Sequence, residues 1–158
     1  EAIKIFQNKL DEIAKRLVAK RISLVIFSPL PVFRGIENPA PSWACTKEWF
    51  RPTVDKKCNL QFHESRKNIN IRNKSIIDSL KAIERRNKNV YVFDPFDLLC
   101  PNKTVCTTVV GKKQFFRDDD HLSRTGSKYL SKYFQDFLLK NKLISSTQGM
   151  QQIHASSM

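Results

Sequence analysis

The chain has 158 residues, with 28 Lys and Arg against 15 Asp and Glu, for a formal charge of +13. That length suits one domain of ordinary size, and at 41% hydrophobic and 10% aromatic residues it carries enough apolar material to exclude wholesale disorder. Glycines at 35, 111, 126 and 149 cannot be assembled into either phosphate-binding loop, G-x-G-x-x-G or G-x-x-x-x-G-K-[ST], and the longest apolar stretches, such as Ile22 to Phe27, fall far short of the ~20 residues a membrane helix needs.

Ile3, Phe6, Leu10, Ile13 and Leu17 recur at steps of three and four, so residues 2 to 20 are expected to form an amphipathic helix. The apolar run Ile22 to Phe27 stops at Ser28-Pro29 and reads as a buried strand of the parallel type. Residues 29 to 60 hold five of the seven prolines and both tryptophans without a sustained period, the mark of a long functional loop. Ile69, Ile76, Ile77, Leu80 and Ile83 define a second helix ending near Asn87, and Val90 to Phe93 a second buried strand closed by Asp94-Pro95. Val105 to Val110 and Gln114 to Phe116 are expected to pair as a small hairpin around Gly111-Lys112. From Ser123, the spacing of Tyr129, Leu130, Tyr133, Phe134, Phe137 and Leu138 predicts a third helix, and from Ser145 the chain is polar and without period, an expected frayed tail. Helix, strand, helix, strand, helix indicates an α/β architecture whose opening strands are absent. The chain begins at Glu1 with no Met and no signal peptide, so it is expected to be a processed product or a piece of something longer.

Cysteines at 45, 58, 100 and 106 fit no zinc spacing. Neighbour pairing, Cys45 with Cys58 and Cys100 with Cys106, is the simplest arrangement; a bridge closing such a loop stabilises by roughly 2–3 kcal/mol and implies an oxidising compartment. Four buried free thiols are the alternative.

The densest chemistry lies in Phe115-Phe116-Arg117-Asp118-Asp119-Asp120-His121-Leu122-Ser123. A carboxylate three residues before a His can fold back to accept its Nδ1–H, leaving Nε2 to take a proton from a hydroxyl, which is the base and orienting half of a triad. The acids could instead favour the nearby helix N-terminus, or Asp and His could ligate a metal. Ser123 reads as the cap of the third helix rather than as a nucleophile.

Asp118-x-x-His121-Leu122-Ser123, followed by Gly126 and an aromatic-rich helix, resembles the final conserved block of SGNH (GDSL-type) hydrolases. The chain is most similar to the SGNH domains fused behind the membrane acyltransferase-3 domain of O-acetyltransferases that modify surface glycans. The strand running into Pro29-x-Pro31, and Val90 to Pro95 leading to Leu99-Cys100 and then Cys106, agree with that variety, and the resemblance covers roughly residues 2 to 140. It implies a three-layer α/β/α, flavodoxin-like fold with a mostly parallel sheet lacking its N-terminal strands. Residues 1–143 would be a partial domain with 29–60 as an insertion, and 144–158 a disordered tail.

Carried over residue by residue, Asp118 is the orienting acid and His121 the general base of a Ser-His-Asp acyl transfer. The family's nucleophilic Ser lies in a Gly-Asp-Ser block, and its oxyanion donors include a Gly and an Asn from two later blocks; none of these is found here, and a base without its nucleophile forms no acyl-enzyme. The resemblance implies no metal and no soluble cofactor, an acyl donor supplied through the membrane acyltransferase domain, a glycan acceptor, and an extracytoplasmic site tethered to that membrane domain. The loop residues Trp49 and Arg51 are sugar-binding candidates or cap the core. The charge of +13 suits anionic envelope polymers as partners; no nucleic-acid motif accompanies it. The competing readings are a basic polyanion-binding module and a non-catalytic remnant of the fold.

Overall fold

The computed structural model describes residues 1–34, 63–110 and 113–145. Cys45, Cys58, Trp49, Arg51 and most of the expected insertion and tail lie outside the described residues.

Helix α1, Ala2–Ala19, places its apolar stripe against the body through Leu10 and the fully buried Ala14. It ends in a tight reversal: Arg21 takes a φ of 57° and the Ile22 N–H returns to the Leu17 carbonyl at 2.9 Å. That turn absorbs Ile22 and Ser23, so strand β1 is Leu24–Phe27, two residues shorter than the apolar run predicts. Strand β2, His63–Ser65, leads directly into helix α2, Arg66–Arg86, and after a short turn β3, Val90–Phe93, pairs in parallel with β1, Leu24 opposite Val90 and Phe27 opposite Phe93.

Three layers follow from the alternation of side chains along these two strands. One face turns Leu24, Ile26 and Val90 toward Ala14 of α1 and Ile83 of α2. On the other face lies helix α4, Arg124–Lys140, whose Phe134 ring packs 4.7 Å from Phe27 and 5.2 Å from Phe93, with Phe137 at 5.3 Å from Phe93. Rings at such angles and distances add about 0.5–1.5 kcal/mol per pair beyond the area they bury.

The two edges of this parallel pair differ. The Leu24 and Ser28 N–H groups bond to the β3 side, so the intervening Val25 and Phe27 present theirs to the opposite side, where no strand pairs among the described residues. On the outer side of β3, the Val92 N–H donates to the Glu84 carboxylate of α2 at 2.7 Å.

Beyond β3, the short helix α3, Phe96–Leu99, leads to a disulfide between Cys100 and Cys106, both buried, with Cα atoms 4.8 Å apart. Strand β4, Val105–Thr107, is not part of the expected hairpin: it pairs antiparallel with β2, Glu64 opposite Cys106. The hairpin is shorter, β5, Val109–Val110, with β6, Lys113–Gln114. The bridged segment thereby docks on the entrance to α2, where Arg66 donates to the Cys100 carbonyl, pairs with Asp97 and lies over the Phe96 ring at 4.7 Å.

Candidate active site

Phe115 and Phe116 follow β6 and are drawn inward, both N–H groups donating to the Thr108 carbonyl at 2.7 and 3.2 Å. Phe116 is fully buried, with its ring 5.1 Å from that of Phe33. A bridge between Phe116 and Leu122, together with the Arg117 N–H bonding to the His121 carbonyl at 2.8 Å, closes residues 117–122 into a loop. The segment after β1 braces it, since the Phe33 N–H donates to the Asp119 carbonyl at 2.9 Å.

The far end of the loop is held by Ser123, which caps α4 as its type suggests: Gly126 N–H donates to the Ser123 Oγ at 3.0 Å, and that hydroxyl donates to the Gln114 carbonyl at 2.6 Å. Helix and chain approach so closely here that a Cβ on Gly126 would lie 2.2 Å from the Phe115 carbonyl oxygen, so only glycine fits. Ser123 is thus occupied by backbone groups at both ends.

Within this frame Asp118 turns inward and His121 outward. One oxygen of Asp118, Oδ1, accepts the His121 N–H at 2.7 Å and the Asp120 N–H at 3.3 Å, and lies 3.0 Å from His121 Nδ1. Burial by itself would raise the Asp118 carboxyl, but the His121 and Asp120 N–H groups and the His121 ring outweigh it and hold it below the usual carboxylate range. Asp120 also reaches the ring, its Oδ1 2.6 Å from Nδ1. Carboxylate oxygens at these distances accept from an Nδ1–H, and the tautomer with its proton there leaves the lone pair on Nε2. The imidazole is two-thirds exposed, 66%, whereas Asp118 is only 18% exposed. The result is an exposed imidazole anchored through Nδ1 to carboxylates of its own loop.

Asp118, Asp120 and His121 are also the one group among the described residues whose ligand atoms, within 4.8 Å of one another, could share a cation. The three N–H groups converging on Asp118 Oδ1 already give that oxygen the role of an acceptor.

No hydroxyl bonds to His121 among the described residues. Ser28, at the carboxyl end of β1 where α/β folds often place chemistry, is 2% exposed and donates its Oγ to Asp94 at 2.7 Å; Asp94 also accepts the Phe96 N–H at 3.1 Å. It is a strut between the ends of β1 and β3. The structure brings Asp118 and His121 together and adds Asp120, which the run of three acids marks without saying which of them would touch the ring. Among the described residues no helix is long and apolar enough to cross a membrane.

A family model described as "SGNH domain (fused to AT3 domains)" matches residues 3–136. No curated protein and no solved structure matches the chain.

Proposed function

Because the chain belongs to the SGNH domains that are fused to AT3 domains, an acyltransferase-associated module, we propose that it supplies the base and orienting acid of a Ser-type O-acyl transfer to a cell-surface glycan. The observation that carries this reading is the placement of His121 Nδ1 against two carboxylates, 3.0 Å from Asp118 and 2.6 Å from Asp120, on an exposed ring. In the reaction, a serine Oγ from outside these 158 residues attacks the acyl carbonyl as Nε2 takes its proton, Asp118 stabilises the imidazolium, and the donor's leaving group departs with that proton from Nε2, which returns the ring to its neutral form. The ring then takes a proton from the incoming glycan hydroxyl as it attacks the acyl-enzyme, and the serine leaves protonated by His121. The acyl group reaches this module through the AT3 domain. The Cys100–Cys106 bridge supports placement on the extracytoplasmic side.

The test uses the AT3-fused protein, with release or transfer of acetyl from a chromogenic ester as the readout. His121→Ala is expected to lower the rate at least ~10³-fold, in the range that loss of a triad member costs, with the fold retained by circular dichroism. Full activity in that variant would remove His121 from the reaction and leave the domain as a non-catalytic remnant.

A further inference from the structure

A cleft of about 570 Å³ lies between the exposed face of α2 and the turn that follows β3. Its cations are Arg66, Lys67, Lys74, Lys81 and Lys103, and its carboxylates Asp78, Asp94 and Asp97. Local partners already occupy part of this charge: Arg66 pairs with Asp97, Lys74 with Asp78 at 2.6 Å, and Asp94 takes the Ser28 hydroxyl. Lys67, Lys81 and Lys103 make no ion pair among the described residues. Asp94 keeps its charge against a neutral hydroxyl, and the cleft is positive by the excess of these three ammonium groups over that one carboxylate.

Its layout is regular. Lys67, Lys74 and Lys81 follow one another at seven-residue steps on α2, which sets them on one stripe about 10 Å apart. Between the first two stands Ile71, 63% exposed, and beside it the Asn70 amide. Spaced ammonium groups, an apolar side chain for the C–H face of a sugar ring and an amide for its hydroxyls are the donors an acidic saccharide needs. Single-stranded nucleic acid would require open aromatic faces for stacking, but the Phe96 ring is buried under the Arg66 guanidinium. One segment touches both the cleft and the His121 loop: Ser28, bonded to Asp94 in the cleft, lies five residues before Phe33, which is bonded to Asp119.

We propose that this cleft is a docking groove for a glycan bearing repeated carboxylate or phosphate groups. That the ligand is a glycan rests on the acyl-transfer reading; that it is anionic rests on the cleft alone.

The test measures binding of the protein to polygalacturonate, to neutral dextran and to duplex DNA at several salt concentrations, with no reaction required. The expected result is salt-sensitive binding to the polyuronate, none to dextran and weaker binding to DNA. The triple variant Lys67→Glu, Lys81→Glu, Lys103→Glu should weaken polyuronate binding about tenfold or more and flatten its salt dependence. A control with the same charge change on α1 and the residue that ends it, Lys4→Glu, Lys15→Glu, Lys20→Glu, should change it less than about threefold, the share of long-range charge alone. Equal losses in the two triples, or DNA bound as tightly as the polyuronate, would overturn the groove. If the triple fails to fold, single Lys→Gln variants at the three positions decide the matter, each expected to weaken binding and none of the α1 counterparts to do so. Because binding is read without turnover, failure here leaves the role of His121 standing, and an active His121→Ala enzyme leaves the groove standing.

Discussion

The end of the molecule that carries the Asp118–His121 loop and the end formed by α1 and the parallel strands are built to different standards. Around the loop, Phe33, Ile69, Phe96, Leu99, Phe115, Phe116 and Leu130 form one buried cluster with the bridged Cys100 and Cys106. Around the strands the buried cluster is Ala14, Ile83 and Val90, while Ile5 is 55% and Phe27 47% exposed. Aromatic packing, a covalent tie and short backbone bonds thus concentrate where a ring must be held in one orientation. The loop is braced from beneath by backbone bonds from Phe33 to Asp119 and from Phe115 and Phe116 to Thr108.

The sharpest way to break this contrast is to empty the cluster under the loop. Phe116→Ala should cost about 3–5 kcal/mol, as for a fully buried aromatic, whereas Ile5→Ala on the exposed side of α1 should stay within about 0.5 kcal/mol; chemical denaturation of the two variants measures both. Replacing Cys100 and Cys106 together by serine should cost about 2 kcal/mol for so short a loop, read as a drop in thermal midpoint under non-reducing conditions. The smallest effect is that of acid on Asp118. Its folded-state carboxyl lies below the ordinary value, so the stability it contributes is complete above the unfolded value, about 3.9, and is lost as pH falls through the lower folded one. The protection of the His121 amide, whose N–H bonds to Asp118, relative to its intrinsic exchange rate should therefore fall at low pH before that of β3, and Asp118→Asn should remove that pH-dependent loss of protection.

Local pattern explains what could be foreseen. The steps of three and four in α1, α2 and α4 and the apolar runs at Val25 and Val92 are properties of neighbouring residues, and so is the Asp118-x-x-His121 spacing. Nothing local marks His63-Glu64-Ser65 as a strand: it has no apolar alternation and exists because Cys106 is tied next to the start of α2 and offers β4 as a partner. The same non-local choice takes Val105 out of the hairpin. The contact of Asp120 with Nδ1 depends on how tightly the Phe116–Leu122 bridge closes the loop, which no spacing rule encodes. The cleft along α2 is visible in sequence only as a seven-residue repeat of lysines; its far wall comes from the turn after β3.

The Glu84 carboxylate that receives the Val92 N–H gives the parallel sheet a direction of growth. A further strand arriving beside β3 would find one of the backbone donors it needs already taken, and would have to displace a helix side chain to reach it. Beside β1, the outward groups of Val25 and Phe27 meet no such obstacle among the described residues. A wider sheet on this pair would therefore extend more readily from β1 than from β3.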